Sequence, residues 1–94
     1  MTPVWTPRAL EDIAEVISYL AAENLQAADD LLARSLDLVE GTLVSQPNVG
    51  RPGRVEGTRE AVVSPSYILV YRVTAHQIEI LAFRHTSRLW PDQF

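Results

Sequence analysis

The segment Phe83-Arg84-His85-x-x-Arg88-x-Trp90-Pro91 gathers the residue types best suited to chemistry. An imidazole with an ordinary pKa of about 6.5 moves a proton at neutral pH. A guanidinium beside it stabilises charge developing on a phosphate. Arg84 and His85 are therefore the sharpest catalytic candidates. Neighbouring strand residues point to opposite faces, so the two serve one site only if the strand bulges or ends there. The competing reading makes His85 a structural or partner-contacting residue. Arg59 opens a β-rich run and can share a sheet face with Arg72 or Arg84 as an anion cluster, or can pair with Glu60 or Glu79 across the sheet. Tyr67 and Tyr71 have the same strand parity and read as core or rim aromatics, while His76 reads as a solvated turn residue. Arg88, Trp90 and Phe94 follow the last strand. Arg and Trp are enriched at binding hot spots, although a Trp there can also cover an open end of the core. Gly50-Arg51-Pro52-Gly53 is not a phosphate loop, because it lacks the Lys-Ser/Thr pair and precedes no helix.

Composition limits what these residues can do. With 94 residues the chain is expected to form one domain, residues 1–94, burying roughly two-thirds of the surface exposed by its unfolded form. It has no cysteine and only two histidines. Disulfides and thiolate metal sites are excluded, and no metal or other cofactor is expected. The opening Met1-Thr2-Pro3-Val4-Trp5 lacks the pattern of a secretory signal, and no apolar run approaches the roughly 18 residues of a membrane span. The expectation is a soluble, cytoplasmic protein with no membrane partner. Its net charge of -4 is unevenly spread: residues 1–47 carry eight acids and two arginines, residues 48–94 six arginines and four acids. All eight basic residues are arginine. The planar arginine fork suits carboxylate and phosphate and stacks on aromatic rings; codon bias in a GC-rich source is the competing explanation. The acidic balance argues against direct, specific nucleic-acid binding, since such affinity comes mainly from neutralised phosphates.

The elements that must position these groups follow from periodicity. Thr2–Trp5 predicts a short strand, Thr6 an N-cap and Pro7 a first helical residue. Leu10, Ile13, Ile17 and Leu20, flanked by Ala14 and Ala21, then mark an amphipathic helix ending near Asn24. Asn24 caps a second helix whose stripe is Ala28, Leu32, Ser35, Val39 and Leu43, broadened by Leu31, Leu36 and Leu38. Almost no loop joins the two, so they predict an antiparallel hairpin. Its acids read as solvent-facing and solubilising. Val16, Tyr19 and Leu20 either offer a groove to another helix or pack in the core. The breakers between Ser45 and Gly57 predict a loop. Three strands follow, Arg59 to Ser64, Tyr67 to Val73 and Gln77 to Phe83, in antiparallel hairpins. The middle strand is apolar on both faces and therefore central. In the third, Ile78, Ile80 and Ala82 share one face. The expected fold is α+β, ordered β-α-α-β-β-β, with a twisted antiparallel sheet covered by an N-terminal helix hairpin. The partner of the first strand is left open.

Taken in order, Trp5-Thr6-Pro7-Arg8-Ala9-Leu10-x-Asp12-Ile13, Asn24-x-x-Ala27-Ala28, Gly50-Arg51-Pro52-Gly53, Arg59-Glu60, Tyr67-x-x-x-Tyr71-Arg72-Val73 and the Arg84 to Pro91 ending resemble toxins of the ParE/RelE superfamily. The resemblance covers nearly the whole chain and implies the same β-α-α-β-β-β fold. It also implies a toxin held inactive by an antitoxin whose flexible C-terminal segment folds around it. RelE-like members are ribosome-dependent endoribonucleases, which would make Arg59, Arg84 and His85 the catalytic set. That set looks incomplete here, with no lysine anywhere and no tyrosine after Tyr71. ParE-like members are similar to inhibitors of DNA gyrase, and the ending looks more like that branch. The resemblance thus implies a noncatalytic, plasmid-stabilising toxin with a ParD-like antitoxin, a gyrase-binding surface at Arg84, Arg88 and Trp90, and an antitoxin surface at Val16, Tyr19, Leu20, Arg59 and Arg72. A non-toxic binding module on the same fold is the remaining alternative.

Overall fold

Thr6 turns the chain from strand into helix. In the computed structural model, which describes residues 1–87, its Oγ1 accepts from the Ala9 N–H at 3.3 Å and donates to the Ile80 carbonyl at 2.8 Å. Pro7 then takes the first helical position, where no N–H is needed. Helix α1 (Pro7–Glu23) ends at Asn24, which is extended and whose Oδ1 caps α2 (Leu25–Asp37) by accepting from Ala27 N–H at 3.0 Å. The chain next widens into a π turn, Leu38–Thr42, and closes with a last α turn, α3 (Leu43–Ser45). The fully buried Ser35 hydroxyl donates to the Leu31 carbonyl at 2.8 Å. Beyond it the wider turn still delivers Val39 and Leu43 to the interior, both fully buried.

Five strands form one sheet: β1 (Thr2–Trp5), β2 (Arg51–Pro52), β3 (Arg59–Ser64), β4 (Tyr67–Val73) and β5 (Gln77–His85), in the order β1-β5-β4-β3-β2. The centre is β4, as its two apolar faces require. The edge strand β1 runs parallel to β5, with Trp5 opposite Ile80, whereas the other pairs are antiparallel. The sheet is therefore mixed, and the wholly antiparallel expectation is corrected. Both helices lie between β1 and the rest of the sheet, a connection long enough for parallel pairing. A second correction falls in the breaker-rich loop, where Arg51 and Pro52 pair with Glu60 and Arg59 as a two-residue edge strand.

The main core joins Ala9 and Ile13 of α1, Leu31, Val39 and Leu43 of the second helical run, and Ala61, Leu69, Tyr71, Ile78, Ile80 and Phe83 of the sheet. Leu10 and Leu32 instead stand 53% and 37% exposed. The expected stripes hold at Ile13, Ala28, Ser35, Val39 and Leu43, which are buried, but Ala9 and Leu31 take the inward places expected of Leu10 and Leu32. On β5 the alternation breaks. Val70 pairs with Ala82 and Tyr71 with Ile80, leaving Leu81 as an extra residue in a bulge. Phe83 thereby joins the face of Ile78 and Ile80, while Ala82 clusters with Val70 and Leu81. Ala82 does not share the face expected from alternation. Among the described residues no helix is long and apolar enough to cross a membrane.

Candidate functional site

β1 pairs with β5 only as far as Ile80, so the end of β5 has backbone to be satisfied from outside the sheet. Asp12, on the second turn of α1, accepts from the Phe83 N–H through Oδ2 at 3.0 Å. That bond fixes α1 over the end of β5. Asp12, Glu15, Val16 and Tyr19 then recur at helical spacing along one side of α1. Together with Tyr67 of β4 and Phe83, Arg84 and His85 of β5 they enclose an open cleft of about 420 Å³.

Rings form much of the sheet side of the cleft. Tyr67 stacks on Phe83 with centroids 5.4 Å apart and planes at 19°, and meets the His85 ring edge-on at 5.3 Å and 85°. The His85 Nδ1 accepts the Ser87 N–H at 3.1 Å and lies 2.8 Å from the Ser87 hydroxyl. With Nδ1 accepting, the neutral ring carries its proton on Nε2. Register assigns His85 to the face of Tyr67 and Arg84 to that of Ile68. The two are neighbours at one cleft without sharing a sheet face.

Arg59 is employed elsewhere. Its guanidinium donates to the Gly50 carbonyl at 2.8 Å and the Asn48 carbonyl at 3.3 Å. Buried Tyr71 completes the same clamp, donating to the Pro47 carbonyl at 2.8 Å and accepting the Gly50 N–H at 2.9 Å. A Cβ on Gly50 would lie 2.6 Å from the Tyr71 hydroxyl, so glycine is required by close approach. On the other sheet face the Glu60 carboxylate, 1% exposed, accepts from Arg51 Nη2 at 3.0 Å and from the Arg54 N–H at 2.7 Å. Arg72 meets Glu79 at 3.8 Å. Arg59 pairs with Tyr71, and His85 with Tyr67 four residues away, an offset of about 13 Å along the strand.

The structure thus brings Arg84 and His85 together with Val16 and Tyr19, with Leu20 half-buried against the core. Arg59 and Arg72 stand apart from that cleft. Arg88 and Trp90 lie outside the described residues. Sequence reasoning missed Asp12 and Glu60, whose carboxylates bind backbone N–H groups; among helix acids, only the common stripe of Asp12 with Val16 and Tyr19 could have singled Asp12 out. No group of three or more His, Asp or Glu side chains arranged to hold a metal occurs among the described residues. A histidine, two phenols and two carboxylates at one cleft can transfer protons or grip a polar side chain.

Comparison with known proteins gives this geometry a context. The family described as ParE toxin of type II toxin-antitoxin system, parDE, matches residues 4–90. The candidate toxin Y4kP of Sinorhizobium fredii is 38% identical over 89 residues, which cover 94% of this chain and 91% of that protein. Toxin RelE2 of Caulobacter vibrioides is 34% identical over 86 residues, covering 92% and 96% respectively. Among solved structures, the chromosomal ParDE system of P. aeruginosa superposes with a TM-score of 0.70 at 23% identity, covering 90% of this chain and 95% of that one. The RelBE2 toxin-antitoxin complex of Mycobacterium tuberculosis gives 0.65 at 26% identity, covering 89% and 95%.

Proposed function

This chain belongs to the ParE toxin family of type II toxin-antitoxin systems, and from that membership we propose that it arrests growth by binding and poisoning DNA gyrase, without catalysis of its own. A ParD-like antitoxin neutralises it in the cytoplasm. The observation that carries the noncatalytic reading is how the arginines are employed. Arg59 braces the loop at Asn48 and Gly50, and Arg51 and Arg54 hold Glu60. A ribonuclease needs basic groups converging on one phosphate, and the offset of about 13 Å between the rows of Arg59 and His85 keeps that set dispersed. In this reading Arg84, with Arg88 and Trp90 beyond the described residues, supplies the gyrase contact. The partner reading draws on structural neighbours whose own descriptions are of toxin-antitoxin systems.

A second reading, ribosome-dependent cleavage of messenger RNA, is favoured by the identity with Toxin RelE2 and by the juxtaposition of Arg84 and His85. One paired experiment separates the two. Purified protein is added to a gyrase supercoiling and cleavage assay and, in parallel, to a coupled translation reaction whose message is mapped for cuts. The expected outcome is lost supercoiling, trapped cleaved DNA and intact message. Cut message with unaffected gyrase would replace this proposal by the ribonuclease. No effect in either reaction, together with vigorous growth during soluble expression without antitoxin, would leave a non-toxic binding module.

A further inference from the structure

We propose that the cleft between α1 and the end of the β4–β5 pair is a receptor for a basic side chain, best an arginine guanidinium, presented by the polypeptide that neutralises this protein. The proposal rests on the toxin-antitoxin reading for the source of that arginine, but not for the chemistry of the cleft. That chemistry combines π-faces and negative charge. On the sheet side Tyr67 packs against both buried Phe83 and His85, and on the helix side stands Tyr19, 67% exposed. Planar guanidinium stacks on such rings and is attracted by their quadrupoles.

The carboxylates decide the sign of the ligand. Asp12 spends Oδ2 on the Phe83 N–H, which leaves Oδ1 available. Glu15 is exposed and makes no hydrogen bond or ion pair among the described residues. A guanidinium between the rings can meet Glu15 in a forked, charge-assisted pair. Helix α1 also carries Glu11 and Glu23 against Arg8 alone, so its field favours a cation. An acidic ligand would face Asp12 and Glu15 at close range. A nucleotide could stack on the rings, but its phosphate would meet the same repulsion. Arg84 also lines the cleft and offsets one of the two carboxylate charges, so the lining remains acidic by one charge. The acidic side of the cleft that awaits a partner's basic side chain is thus supplied by α1, whereas Arg51, Arg54, Arg59 and Arg72 are already engaged with internal carboxylates or carbonyls.

The test uses the isolated chain and a small probe, N-acetyl-arginine-N-methylamide, titrated while the ring resonances of Tyr67 and His85 and the amide of Phe83 are followed by NMR. Saturable shifts confined to the cleft are expected, weakened about five-fold in Glu15→Gln and in Tyr67→Leu. N-acetyl-glutamate-N-methylamide and adenosine monophosphate should produce no saturable change. Absence of saturation with the arginine probe, equal affinity in Glu15→Gln, or equal binding of the acidic or nucleotide probe would each overturn the proposal. Glu15 is exposed, so its variant folds; Tyr67→Leu is checked by its amide spectrum. Whether the cognate antitoxin binds at all is read separately, by co-purification. A negative probe titration with intact co-purification sinks the cleft proposal alone, and a positive titration without an antitoxin complex sinks the partner assignment alone.

Discussion

Asp12 is the residue on which the geometry of the cleft turns. Its carboxylate accepts the Phe83 N–H on a stretch of β5 beyond its last pairing with β1, Trp5 opposite Ile80. A hydrogen bond to a charged acceptor contributes about 1.5–3 kcal/mol. Asp12→Ala should therefore lower unfolding free energy by about 2 kcal/mol, measured by urea titration, and should broaden or shift the Phe83 amide resonance. Asp12→Asn keeps an acceptor oxygen and should recover at least half of the loss. Equal destabilisation by both would mean that charge, rather than acceptance from Phe83, is what matters. Thr6 and Asn24 were legible in the sequence because a cap acts on its own helix, within three residues. The partner of Asp12 was not, because it lies 71 residues away; those of Glu60 were not, because they depend on Arg51 and Pro52 forming an edge strand in a segment read as loop.

At the scale of elements, the sequence announced both helices and all three long strands. It placed β4 at the centre because both of its faces are apolar. What it could not supply was which of two adjacent residues, Ala9 or Leu10 and Leu31 or Leu32, fills the inward place at one turn of each helix. Leu10 and Leu32 are more apolar than Ala9, and no less apolar than Leu31, yet tight packing against the sheet admits Ala9 and Leu31. Likewise the bulge at Leu81 has no local signature, since Ile78, Ile80, Leu81, Ala82 and Phe83 are all apolar and fit either register. Gly41 sits within the π turn, Leu38–Thr42. That glycine is exposed, and a Cβ added there meets nothing within 4 Å. Gly41→Ala should raise stability by about 0.5–1 kcal/mol, seen as a higher urea midpoint at unchanged slope. A lower midpoint would mean that the wide turn needs the freedom of glycine.

At the scale of the molecule, the helices and the sheet share one buried cluster that draws on α1, α2, β3, β4 and β5. We propose that the chain unfolds as one cooperative unit. Far-UV dichroism, weighted to the helices, and near-UV dichroism of packed Tyr67 and Tyr71 should give coincident denaturation curves; separated midpoints would divide the chain into independent parts. The position of β1 adds a temporal consequence. Its hydrogen-bonded neighbour Ile80 lies 74 residues beyond Thr6, and closing a loop of that length costs about 4 kcal/mol of chain entropy. The helix hairpin and the β3–β4–β5 meander need only short closures, so they assemble first and leave one margin of β5 open. An open margin is adhesive toward other chains. When β1 arrives, Thr6 N–H bonds Ile80, strand alternation turns Val4 toward β5, and Pro3 is turned outward, where it has no N–H to offer. The strand that meets its partner across the longest stretch of chain is thus the last to be zipped in, and the same short strand that completes the sheet also blunts it against further growth.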